Sequence, residues 1–370
     1  MKIPQANPGA FVFAHRNEID TAMSRVLDSG CYILGPEVAA FEQEFATFLG
    51  HSHAVAVASG TDALWLALRT LDLKPGAEVI TVAMTAVATV AAIVEAGARP
   101  VFVDVCADDL TMDPASLTAA ITPRTAAVIP VHLYGQPARL PEICAIADKA
   151  GVPVIEDCAQ AHGASCDGRG VGTWGRLAAF SFYPTKNLGG LGDGGAIVTG
   201  DKKMVIRLRS LREYGWAQRA VSTAHGWNSR LDELQAAILR VSLQYLTAGN
   251  CRRQSIATTY TSALADTDIA VPPVYADRMS VYHQYVIRHC QRDQLRTKLA
   301  QHAVGTNVHY PVPVHLQEPY RDYGRGLGSL PVTERAADEV LSLPIYPELR
   351  DGEINATIRA IHESLSKCRH

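Results

Sequence analysis

A chain of 370 residues, 48% apolar and 19% charged, can bury a large core and is too long for one small module. Its 34 basic and 37 acidic residues leave a net charge of −3, and no basic stripe with interleaved aromatics is present, which argues against nucleic acid as a partner. The longest charge-free apolar stretch, between Glu78 and Glu95, contains Thr81, Thr85 and Thr89 and falls short of the roughly 20 apolar residues of a membrane span.

The opening Met1-Lys2-Ile3-Pro4-Gln5-Ala6-Asn7 has no apolar core of the kind a signal peptide needs, so a soluble, cytoplasmic protein is expected. β-branched runs at residues 53–58, 78–82, 99–103, 125–131, 152–156, 177–183 and 195–199 read as strands. Helix-like stretches fall between them at residues 61–71, 85–96, 114–120 and 141–150. Near-continuous runs such as Ala54-Val55-Ala56-Val57-Ala58 are buried on both faces in a parallel sheet. The alternation predicts an α/β fold, an α/β/α sandwich with a mostly parallel sheet. Beyond Ser229 the pattern changes. Helix is expected at residues 231–246, from about 252, at 291–301 and at 353–367, with one strand-like run at 281–289. That implies a large domain over residues 1–240 and a smaller α+β domain over 241–370. The amino-terminal segment is a candidate to pack on the smaller one.

The eight cysteines, Cys31, Cys106, Cys144, Cys158, Cys166, Cys251, Cys290 and Cys368, include no Cys-x-x-Cys pair and are read as free thiols. His51-Ser52-His53 and the pair His309 and His315 do not have tight ligand spacing, so no metal is expected. Gly190-Leu191-Gly192-Asp193-Gly194-Gly195 formally matches a dinucleotide fingerprint. The residues after it, Ala196-Ile197-Val198-Thr199, are β-like and open no helix to receive a pyrophosphate, so the loop is read as a turned active-site loop.

Three features carry chemistry. Ser59-Gly60-Thr61-Asp62 lies between a strand and a helix, where free N–H groups attract an anion. Asp157, in Glu156-Asp157-Cys158-Ala159-Gln160, ends a buried strand, where ligands of open α/β sheets bind and where a carboxylate needs a cationic partner. Ser181-Phe182-Tyr183-Pro184-Thr185-Lys186-Asn187 leads from a strand into the glycine loop. Singly, each has an ordinary alternative: a Ser N-cap, an Asp N-cap and a solvated surface lysine. Together, an amine for a Schiff base, a carboxylate for a pyridinium nitrogen and a phosphate-binding helix terminus meet the needs of pyridoxal 5'-phosphate.

Those stretches, with Tyr32-Ile33-Leu34-Gly35-Pro36, residues 226–237 and His309-Tyr310-Pro311, resemble the DegT/StrS family of nucleotide-sugar aminotransferases, a branch of the fold type I pyridoxal phosphate enzymes. The resemblance covers almost the whole chain. It implies that Lys186 carries the cofactor as a Schiff base, Asp157 binds the pyridine nitrogen and Gln160 reaches the phenolic oxygen. It also implies that Gly60, Thr61 and Ser181 hold the phosphate, with Asn228 contributed by the other subunit of a homodimer with shared active sites. Tyr183, His309 and Tyr310 are expected to lie toward the sugar nucleotide. One departure stands out: Ala86 occupies the position where many relatives stack an aromatic ring on the cofactor, which leaves Met84 as a candidate for that contact. The Thr85-Ala86-Val87-Ala88-Thr89 segment and Leu211-Arg212-Glu213-Tyr214-Gly215-Trp216 lean toward relatives that act on 3-keto-6-deoxy sugars. The implied reaction is amination of a dTDP-3-keto-6-deoxyhexose with L-glutamate as donor. Amination at C4 and a non-catalytic cofactor-binding regulator remain as alternatives. Dehydration at C3 goes with a histidine in place of the lysine and is disfavoured by Lys186.

Overall fold

The computed structural model describes residues 2–366. The predicted helix end at Lys367, and Cys368, lie outside the described residues. Three helices open the chain: α1 (Pro8–Ala14), α2 (Arg16–Ser29) and α3 (Pro36–Phe48). The alternating units follow as β1 (His53–Val57), α4 (Gly60–Arg69), β2 (Glu78–Val82), α5 (Val87–Glu95), β3 (Arg99–Val103), α6 (Pro114–Ala120), β4 (Thr125–Ile129), α7 (Leu140–Ala150) and β5 (Ile155–Asp157). Next come β6 (Leu177–Ser181), β7 (Gly195–Thr199) and α8 (Lys202–Leu211).

Strands β3, β2 and β4 pair in parallel, as do β5 and β6. Parallel bridges Val128–Val154 and Val131–Asp157 join the two sets, giving the order β3-β2-β4-β5-β6-β7-β1. Strand β7 alone runs antiparallel to its neighbours. It follows β6 after a 13-residue loop with no helix, too short and irregular for the crossover that a parallel return requires. That loop carries Lys186 and the glycines, and Gly195 begins a strand, as expected for a turned loop.

Side chains on the strands alternate between two cores. Ala178, Phe180 and Phe182 pack with Phe41, Phe45 and Leu239 on one face. Leu177 and Ala179 pack with Leu64, Leu68 and Ile93 on the other. Helices therefore cover both faces, and the expected α/β/α sandwich is present.

The carboxyl-terminal third comprises α9 (Glu233–Leu264), β8 (Tyr285–Arg288), α10 (Arg292–Gln301), α11 (Pro331–Glu339), β9 (Val340–Leu343) and α12 (Asp351–Ser366). Its core joins Tyr260, Tyr285, Ile287, Leu341, Leu343 and Ile361, and Ile3 from the amino terminus packs into it. One expectation is corrected here. The helices read at residues 231–246 and from about 252 are a single 32-residue helix. Gly249 and Asn250 are weak helix formers. Asn250 Nδ2 instead donates to the His162 carbonyl at 2.8 Å, and its Oδ1 accepts from Asn187 Nδ2 at 2.8 Å, so tertiary bonds outweigh local propensity. The seven described cysteines are free thiols. Among the described residues no helix is long and apolar enough to cross a membrane.

Candidate active site

Strands β1, β5 and β6 all point their carboxyl ends to one edge of the sheet, where open α/β sheets bind ligands. After β1, Ser59 caps α4, its Oγ accepting from Asp62 N at 3.1 Å. The amides of Gly60 and Thr61 are left open at the helix start. Gly60 lies so close to β6 that a Cβ there would stand 2.6 Å from Ser181 Cβ. A glycine is required for the two segments to meet. Thr61 is exposed and Ser181 half-buried, so this concavity presents N–H and hydroxyl donors suited to a phosphate.

Asp157 ends β5 and is 5% exposed. Its Oδ2 accepts from Thr89 Oγ1 at 2.8 Å and its Oδ1 from Ala159 N at 3.2 Å. Thr89 in turn shares a 2.9 Å bond with the Thr85 hydroxyl. Burial pushes the Asp157 carboxyl above its usual range, while the Thr89 hydroxyl, the Ala159 amide and the Lys186 charge act against that rise. The preceding residue, Glu156, is fully buried. It accepts from Gly172, Trp174 and Gly175 amides at 2.7 Å each and from His132 Nε2 at 3.1 Å. Ala138 N donates to His132 Nδ1, which assigns the ring proton to Nε2. His132, Glu156 and Cys158 lie close enough to hold a metal ion, but these bonds already occupy the histidine and the carboxylate. They also fix the strand end that presents Asp157.

Lys186 sits in the β6–β7 loop, its amide bonded to the Tyr183 carbonyl at 2.8 Å. Burial lowers its amine to about 8, against the pull of Asp157. A buried carboxylate in need of a cation, a partly neutral amine and an anion-ready helix start form a donor set that fits pyridoxal phosphate.

Gln160 spans two partners: its Oε1 accepts from Tyr134 N at 2.7 Å and its Nε2 donates to Tyr310 Oη at 2.7 Å. The Tyr134 and Tyr310 rings stack at 6.5 Å with 7° between planes. Tyr310 holds φ at 119°, a sparsely populated backbone region that recurs at functional sites. Tyr134 Oη donates to the His309 carbonyl at 2.5 Å. The His309 ring bonds Ser342 Oγ at 2.7 Å and Asn307 at 3.1 Å. Burial, and then the Lys186 charge, lower it to about 4, so it is neutral at pH 7.

Most of the sequence-derived residues therefore meet at one edge. Tyr183 is 51% exposed, with its amide 3.4 Å from Ser181 Oγ. Asn228 is the exception. It is exposed on the excursion between α8 and α9, bridges only to Glu213, and among the described residues bonds to none of the others. Met84 lies fully buried in a core with Val82, Val103 and Leu133. Thr89 and Tyr134 are not singled out by the sequence. For Thr89 a signal existed: two threonines four apart on an otherwise apolar helix start.

Residues 14–362 match the model of the DegT/DnrJ/EryC1/StrS aminotransferase family. The chain belongs to this family. Among curated relatives, the dTDP-3-amino-3,4,6-trideoxy-alpha-D-glucose transaminase of Streptomyces venezuelae is 48% identical over 349 residues, covering 94% of this chain and 92% of the relative. The erythromycin biosynthesis sensory transduction protein EryC1 of Saccharopolyspora erythraea is 48% identical over 350 residues, covering 94% and 96%. The crystal structure of S. venezuelae DesV in complex with a ketimine intermediate superposes with a TM-score of 0.96 at 47% identity, covering 98% of each chain. This family member is a pyridoxal phosphate-dependent sugar aminotransferase.

Proposed function

We propose that this aminotransferase transfers an amino group from L-glutamate to C3 of a dTDP-linked 3-keto-6-deoxyhexose. The observation that carries the reading is the Lys186–Asp157 pair, set beside an open α4 start in a chain 48% identical to a transaminase named for a dTDP-3-amino sugar. When bound, the cofactor supplies a protonated pyridine ring that draws electrons from the bond being broken. Asp157 would hold the ring nitrogen and keep it protonated. Gly60, Thr61 and Ser181 would hold the phosphate, and Gln160 would serve the phenolic oxygen. Lys186 Nζ would hold the cofactor covalently, and as a free amine it would take the proton from the donor's Cα in the first half-reaction and deliver a proton to C3 of the sugar in the second. Such positioned proton transfer is worth about 10²–10⁴-fold, so Lys186→Ala is expected to be essentially inactive in a coupled transamination assay.

Asn228 completes the phosphate site of a partner copy in this reading, which makes the enzyme a homodimer with shared sites. Exposed Tyr214, Val221 and Trp227 on the same excursion support such a contact. Tyr183, His309 and Tyr310 line the sugar side. Residues 1–240 form the cofactor domain, 241–370 the smaller one, and the enzyme works in the cytoplasm.

The test is an absorbance spectrum before and after L-glutamate, then after candidate keto sugars. A cofactor band lost with glutamate and restored by a 3-keto sugar supports the proposal. Restoration only by a 4-keto sugar moves the amination to C4. A bound cofactor that glutamate leaves unchanged favours another donor or the regulatory reading.

A further inference from the structure

A cavity of about 290 Å³ opens beside Lys186, walled by α1, α9, the β6–β7 loop and the segment at residues 345–348. At its lining lies Arg253 from α9, 6% exposed. Its Nη1 donates to the carbonyls of Tyr282 at 3.2 Å, His283 at 3.3 Å and Ile345 at 3.1 Å. These bonds anchor the guanidinium and supply no negative charge. Among the described residues no carboxylate forms an ion pair with it. The opposite charge that bears on it is Glu348, also at the lining. Its Nε and Nη2 make no hydrogen bond, neither is among the buried atoms sealed away without a partner, and the residue lines the cavity. A buried guanidinium is costly unless an anion meets it, and its planar fork matches a carboxylate.

A volume near 290 Å³ lies close to the lower end of the roughly 300–1,000 Å³ range of small-molecule pockets, room for a five-carbon amino diacid. Asn187, Asn250 and Gln284 add amide groups to the wall.

We propose that Arg253 recognises a carboxylate of the amino-acid donor, placing the donor's amine beside Lys186. The inference rests on the transaminase reading above and deepens it by assigning the donor subsite.

The test titrates L-glutamate against the cofactor-loaded enzyme and reads the absorbance change, giving an apparent Kd for the first half-reaction. The second half-reaction is measured separately, with enzyme reconstituted in the amine form of the cofactor and mixed with the keto sugar. Arg253→Gln is expected to raise the glutamate Kd by about 30-fold or more while the keto-sugar half-reaction stays within about threefold. Glu348→Gln, at a half-buried position, removes the competing negative charge and is expected to lower the glutamate Kd by about threefold. It remains decisive if Arg253→Gln does not retain cofactor. A glutamate Kd unmoved by either substitution, or both half-reactions weakened equally by Arg253→Gln, overturns the assignment and leaves Arg253 a structural anchor. A wild-type enzyme that does not respond to glutamate overturns the proposed donor itself, and this separates the two failures.

Discussion

Burial of the Lys186 amine, opposed by the charge of Asp157, sets the pH at which the cofactor-free chain captures an aldehyde. Only the uncharged amine adds to a carbonyl. With an ordinary value of 10.5, roughly 0.03% of the amine is uncharged at pH 7; at about 8 the fraction is about 9%, a gain of roughly 300-fold. The rate of recombination with pyridoxal phosphate, followed by absorbance in chain stripped of cofactor, is expected to rise about tenfold per pH unit up to pH 8 and then flatten. Because Asp157 raises the lysine value, Asp157→Asn should move the plateau to lower pH. The stability linkage has a definite sign. Between about pH 8 and 10.5 the unfolded chain binds this proton and the folded chain does not. This group's contribution to stability therefore rises with pH across that window, by up to about 3 kcal/mol. The difference in denaturation midpoint between wild type and Lys186→Met, measured at pH 7 and pH 10, reads that contribution. A capture rate that still climbs tenfold per unit beyond pH 9 would refute the reasoning, since the amine would then be as solvated as a surface lysine.

Three further substitutions probe the frame and the site. Glu233 is 1% exposed, and its carboxylate accepts from Gly35 N at 2.8 Å, Glu37 N at 2.9 Å and Val38 N at 2.8 Å. Glu233→Gln points an amide at one of these donors. It should cost about 2–3 kcal/mol, a fall in Tm of roughly 5 °C by calorimetry. Phe182 meets Phe41 edge-on at 5.1 Å and Phe45 at 5.3 Å, so Phe182→Ala should cost about 3–5 kcal/mol in a denaturant titration and weaken cofactor retention next door at Ser181. Thr89→Val removes a donor that favours the ionised form of the buried Asp157. The expected result is an approximately tenfold weaker cofactor Kd by spectroscopic titration, with Thr89→Ser near wild type; unchanged affinity in Thr89→Val would detach the hydroxyl from the site.

What the sequence makes legible depends on how local the cause is. Strands β1 to β7 can be read because most are short, largely apolar runs with little exposed surface, and Asp157 stands out as a charge at the end of one such run and Lys186 in the loop after another. The antiparallel sense of β7 follows from a local fact too, the lack of any helix between Ser181 and Gly195. The continuity of α9 is different. Asn250 is a poor helix residue whose place is settled by His162 and Asn187, respectively 88 and 63 positions away, and no window on the sequence holds all three. Thr89 is intermediate. Its spacing from Thr85 is visible, but its role depends on Asp157, 68 positions away. The same reasoning explains Asn228, whose exposed side chain finds no site partner within one chain, so its function can be argued only through a second copy. Arg253 is the furthest case. Its sequence neighbourhood, Cys251-Arg252-Arg253-Gln254, is that of an ordinary solvated helix face. Only the fold brings the carbonyls at 282, 283 and 345 around it and opens the cavity beside Lys186.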